Sequence, residues 1–234
     1  SMGCIQKITP ESAGWKYVGF EVFLLNSGES IKHVTGVREV CLVLVSGKAN
    51  VKSVHESWEN LGERLTIFDS KSIAEGKPPY AVYVPDSDEF LVEALTDLEL
   101  AVCSAPGLGN FPARFIKPED MTYETRGNGT NTRHVCNILP ETADADNLLV
   151  VEVITPNGNW SSYPPHKHEL DNLPCESALE ETYYHRLNPP QGFAFQRVYT
   201  DDLSLDETMT VHDHDVVLVP RGYHPVGAPH GYDL

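Results

Sequence analysis

Short apolar runs of strand length alternate with turn signals along almost the whole chain, and helical periodicity is scarce. The pattern predicts strands over 19–26, 39–46, 81–85, 90–95, 98–104, 148–155, 181–186, 193–200 and 215–220. Clusters such as Asn26-Ser27-Gly28, Ser46-Gly47, Asp86-Ser87-Asp88, Asn157-Gly158-Asn159 and Asn188-Pro189-Pro190-Gln191-Gly192 separate them as turns. One stretch, 57–64, reads as a helix. From 105 to 147 the chain is rich in Gly, Pro, Asn and Thr, which predicts a long connection between two β units. The chain is therefore expected to be all-β.

A weak internal repeat supports two units. Ala81-Val82-Tyr83-Val84-Pro85 echoes Val216-Val217-Leu218-Val219-Pro220, and Arg38-Glu39-Val40-Cys41 echoes Glu180-Glu181-Thr182-Tyr183. Domains are expected at 1–120 and 121–234, the first a metal-free copy. Ahead of Glu39 stands a lone His33, and four residues after Pro85 comes Glu89, where His224 follows Pro220.

The 234 residues carry a net charge of -17, which argues against nucleic acid or an anionic membrane as partner, because both require a cationic face. The five cysteines are scattered and odd in number, which suits a reducing, cytoplasmic setting.

Seven of the ten histidines fall after residue 160. In Pro164-Pro165-His166-Lys167-His168 an extended backbone sends both imidazoles to one face and Lys167 to the other. A carboxylate from Glu180-Glu181 and a third imidazole, His224 in Arg221-Gly222-Tyr223-His224-Pro225, complete a candidate metal centre. Glu181 shares a strand face with Tyr183 and His185, so it is the expected ligand and Glu180 the alternative. Three imidazoles and one carboxylate suit Zn, Mn, Fe, Co or Ni. A second H-x-H, His212 and His214 among Asp213 and Asp215, reads as a solvated acidic turn.

The runs 161–168, 180–186, 190–202 and 220–226 resemble the 5-deoxy-glucuronate isomerase family of bacterial inositol catabolism. That resemblance implies a bicupin, two double-stranded β-helix (jelly-roll) barrels, similar to uronate ketol-isomerases. By motif the metal ligands become His166, His168, Glu181 and His224, with 169–179 an inserted loop at the mouth of the site. It also implies a further strand and C-terminal segment beyond Leu234. The implied reaction is aldose–ketose isomerisation of 5-deoxy-D-glucuronate to 5-dehydro-2-deoxy-D-gluconate, and the implied partners are that small uronate substrate and further copies of this chain in a homo-oligomer. His185 and Tyr183 are expected as catalytic groups, His185 having a purely structural hydrogen bond as its other reading. Arg197, among Phe193, Phe195 and Tyr199, is expected to turn inward and grip the substrate carboxylate, with Gln191 and Tyr223 as further substrate contacts. A cupin dioxygenase and a non-catalytic sugar-binding cupin are the competing functions.

Overall fold

A computed structural model describes residues 3–68, 77–167 and 180–234. The nine expected strands are all present, as β2 (Gly19–Leu25), β4 (Arg38–Ser46), β7 (Tyr80–Val84), β8 (Glu89–Ala94), β9 (Leu98–Pro106), β13 (Val150–Ile154), β15 (Glu181–Tyr184), β16 (Ala194–Tyr199) and β18 (Val216–Val219). Strands that the apolar pattern missed are short or polar: β1 (Cys4–Ile8), β3 (Ser30–Val34), β5 (Ala49–Lys52), β14 (Trp160–Ser161), β17 (Asp206–Val211) and β19 (Val226–Gly227).

Two expectations are corrected. The stretch read as a helix is a strand, β6 (Ser57–Leu61), paired with β5. Trp58 opposes Val51 and Leu61 opposes Ala49, so three steps on β6 span two on β5, and Asn60 takes φ 53. This bulge gives a strand the i, i+3 apolar spacing that suggested a helix. The supposed connection 105–147 likewise holds β10 (Arg114–Ile116), β11 (Thr122–Arg126) and β12 (Arg133–Leu139). β11, β12 and β13 form one sheet in that order.

The chain divides into two compact units that exchange segments: 1–123 with 136–152, and 124–135 with 153–234. In the first, a six-stranded sheet (β1-β2-β9-β4-β7-β10) and a four-stranded sheet (β3-β8-β5-β6) bury Phe23, Leu42, Val82, Phe90 and Leu100. Alternation along each strand supplies this apolar face. Glu39, out of phase with Val40, Leu42 and Leu44, is fully buried on the other face of β4, accepting hydrogen bonds from the Tyr83 hydroxyl at 2.7 Å and from the amides of Asp146, Asn147 and Leu148 at 2.7–2.8 Å. The carboxylate thus anchors the segment that leads into β13. Cys41 and Cys103 face each other across β4 and β9, and burial pushes both thiols up, that of Cys103 to about 12. Such thiols are unreactive at neutral pH.

In the second unit β14-β19-β16-β17 form one sheet and β15-β18 another. Leu187, Val198, Val211, Val217, Val219 and Val226 make its core. Among the described residues no helix is long and apolar enough to cross a membrane.

Candidate metal centre

The centre is assembled on β15 and on the turn that follows β18. β15 pairs antiparallel with β18, Glu181 opposite Val219 and Tyr183 opposite Val217. Period-two alternation then sends Glu181, Tyr183 and His185 one way, and the rings of Tyr183 and His185 stack at 6.0 Å. On the other face the Tyr184 hydroxyl meets His214 Nδ1 at 2.7 Å, and Arg186 donates to Asp213 at 2.8 Å. The Glu181 Oε2 lies 3.6 Å from His224 Nε2.

His224 is 1% exposed and held on several sides. Its Nδ1 is 3.0 Å from the Gly222 carbonyl, which can only accept, so Nδ1 carries the proton and Nε2 keeps its lone pair. Gly222 has φ +90, and a Cβ there would stand 2.4 Å from the Tyr199 carbonyl oxygen. Only glycine fits this turn. Behind it, the buried Gln196 amide donates to the His224 carbonyl at 3.0 Å, which turns its Oε1 toward His185 Nε2 at 2.9 Å. His185 must therefore donate from Nε2. Burial disfavours its charged form and lowers its pKa below the ordinary 6.5, so the ring is neutral with Nδ1 as its basic nitrogen.

The Tyr183 phenol donates to Glu181 and accepts from Ser162. Burial first, and the Glu181 carboxylate second, hold it well above the ordinary tyrosine range, so it stays a proton donor that orients Glu181. His166, on the loop after β14, brings its ring centroid to 4.8 Å from that of His224, edge to face. His168 lies outside the described residues. Among the described residues no set of three His, Cys, Asp or Glu side chains is closed into a coordination group. The donor types nevertheless fit a divalent transition metal: His224 is locked in the tautomer that presents Nε2, beside a carboxylate that is itself hydrogen-bonded.

The other expected residues fare differently. Arg197 is corrected. It turns outward, donating to Asp206 at 2.8 and 3.0 Å and lying 4.0 Å over the Tyr199 ring. The inner face of β16 is Ala194, Gln196 and Val198, while Phe195 is exposed. The aromatic residues that suggested an interior belong to the outer face. Gln191 is exposed in the turn before β16. Tyr223 is half-buried, stacked on Tyr199 at 5.0 Å, with its hydroxyl donated to Asp201 at 2.8 Å. His212 and His214 occupy an acidic turn with Asp215 and Asp213 as neighbours. Sequence reasoning missed Ser162, Gln196 and Asp201. Of these only Gln196 carried a local signal, a polar residue in phase with Ala194 and Val198.

The chain is similar to known proteins along its whole length. The KduI/IolB family matches residues 1–234. A protein of Geobacillus thermodenitrificans named 5-deoxy-glucuronate isomerase is 60% identical over 231 residues, 99% of this chain and 82% of its own length. Its Bacillus subtilis strain 168 namesake is 49% identical over 229 residues, 97% of this chain and 82% of the relative. Among solved structures, an IolB-like protein from Salmonella typhimurium LT2 superposes with a TM-score of 0.94 at 54% identity, covering 100% of this chain and 86% of that one. Lactobacillus farciminis oxalate decarboxylase superposes with a TM-score of 0.63 at 12% identity, covering 100% and 81%, a likeness of fold alone. The all-β architecture thus shares its fold with that oxalate decarboxylase. With every residue inside the family match and relatives this similar along nearly the whole of this chain, the chain belongs to the KduI/IolB family.

Proposed function

We propose that the protein is a metal-dependent aldose–ketose isomerase that converts 5-deoxy-D-glucuronate to 5-dehydro-2-deoxy-D-gluconate in myo-inositol breakdown. The names of the relatives support the isomerase, and one observation carries the site: Glu181 lies against the lone-pair nitrogen of a tautomer-locked His224, with His166 alongside. His166, His168, Glu181 and His224 are the residues that would hold a divalent ion, within the second of two cupin barrels. A bound divalent ion supplies Lewis-acid chemistry to the oxygens of a hydroxy-carbonyl substrate.

The protein's own groups then have separate tasks. A proton must pass from the hydroxyl-bearing carbon to the neighbouring carbonyl carbon, and another from the hydroxyl oxygen to the carbonyl oxygen, which calls for a donor and an acceptor close to the substrate. Tyr183, neutral and buried beside Glu181, can turn its one phenol proton from that carboxylate to a substrate oxygen. His185 has Nε2–H committed to Gln196 and keeps Nδ1 as its basic nitrogen, so it serves as the acceptor while it braces Tyr183 by stacking and, through Gln196, the backbone of His224. Ser162 is a second hydrogen-bond partner of the phenol.

Incubation of metal-loaded protein with 5-deoxy-glucuronate without oxygen, followed by NMR of the carbonyl, tests the reading. Conversion is the expected result. Turnover that requires oxygen would replace it with a dioxygenase, and binding without turnover with a sugar-binding module.

A further inference from the structure

We propose that Asp201 is a positioning residue of the metal centre, a latch that ties the H-x-H segment to the His224 turn through one side chain on each. The inference rests on the ligand set assigned above. Lys167, between His166 and His168 in sequence, places Nζ 2.5 Å from Asp201 Oδ2, and Tyr223, next to His224, donates its hydroxyl to Oδ1 at 2.8 Å. Each carboxylate oxygen therefore serves one ligand-bearing segment. Lys167 also lies 5.6 Å over the Tyr223 ring, so the two segments touch each other as well as the latch.

Asp201 is presented by a turn built to hold still. Asp202 accepts from the Thr200 hydroxyl at 2.7 Å and from the Ser204 amide and hydroxyl at 3.0 and 2.8 Å. Those bonds, Thr200 foremost, pull its pKa down to about 2. The turn closes with Thr200 N–H to the Leu205 carbonyl at 2.9 Å, and Tyr199 and Tyr223 exchange backbone hydrogen bonds at 2.8 and 2.9 Å. One end of the latch is thus fixed to the strand that carries Gln196, and its carboxylate reaches outward to Lys167. The bond to Lys167, ahead of that to Tyr223, lowers the Asp201 pKa, so the latch is charged at neutral pH. Two imidazoles on separate segments bind one ion well only when the segments keep their spacing, and a positioning contact contributes by limiting that freedom.

The pair is exposed, so its effect on affinity is modest and sensitive to salt. The test is Mn2+ binding to the full chain, read by EPR of the free ion, for wild type, Asp201→Asn, Lys167→Met and the double variant, at low and high salt. Thermal unfolding of each metal-free protein is recorded alongside. The latch predicts about fivefold weaker Mn2+ binding for either single variant at low salt, no further loss in the double variant, and a narrower gap at high salt, with metal-free melting unchanged. Equal affinities across the set, or a loss matched by a lower metal-free melting temperature, would overturn it. A wild type that binds no Mn2+ would overturn the ligand assignment itself, a result distinguishable from latch failure because it appears before any substitution.

Discussion

Gln196 shows how much of the centre depends on single side chains that touch no ligand atom. It is wholly buried and uses both ends of its amide, one on the His224 carbonyl and one on His185. A buried amide so placed contributes mainly by what its removal would leave unpaired. The consequence for His185 is a pH dependence. Its pKa is lowered in the fold by burial, so between that lowered value and the ordinary 6.5 the unfolded chain holds a proton that the folded one does not. Stability is then full above 6.5 and falls as pH drops below it. In chelator, wild type should exceed His185→Gln in urea midpoint at neutral pH, and the difference should shrink as the solution is acidified. A constant difference would show that His185 is not buried neutral. Arg197 gives the opposite case: its guanidinium is spent on Asp206 at the surface, so Arg197→Ala should leave KM for the uronate within about twofold in steady-state assays. A large rise in KM would return the residue to the site.

At the scale of elements, the turn after β18 carries the strictest local demand. Gly222 combines φ +90 with a carbonyl oxygen 2.4 Å from where a Cβ would stand, whereas Gly231, at φ +87, has open space around that position. Gly231→Ala should cost about 1 kcal/mol of conformational strain, and Gly222→Ala about 2–3 kcal/mol more through the clash, together with weakened metal binding. Matched thermal melts of the two variants measure the difference, and equal melting temperatures would refute the steric reading. The elements themselves were largely legible, because alternation over four to nine residues marks a half-buried strand wherever apolar residues are dense. Legibility failed for physical reasons at β6, where a bulge restores a helical spacing, and on β16, where Phe195 and Tyr199 suggested the interior. On β16 the inner positions are small or polar, Ala194 and Gln196, because the amide network occupies the space that aromatic rings would need.

At the scale of the molecule, two echoing glutamates have come to serve different ends. Glu39 anchors residues 146–148 with both oxygens, and Glu181 faces an imidazole. The repeat in the sequence pointed to both, yet the use of each depends on partners that are far away in the chain and so invisible to local pattern. The phase of Glu181 with Tyr183 and His185 was legible because a strand, β15, fixes it. Asp201 was not, since it meets Lys167 across 34 residues. The central claim is that these ligands hold an ion needed for isomerisation, and anaerobic conversion of 5-deoxy-glucuronate by protein stripped with chelator and then reloaded tests it most directly. The account predicts that conversion disappears on stripping, returns with a divalent transition metal, and does not return in folded His224→Ala; undiminished conversion by the stripped protein or by that variant would contradict it.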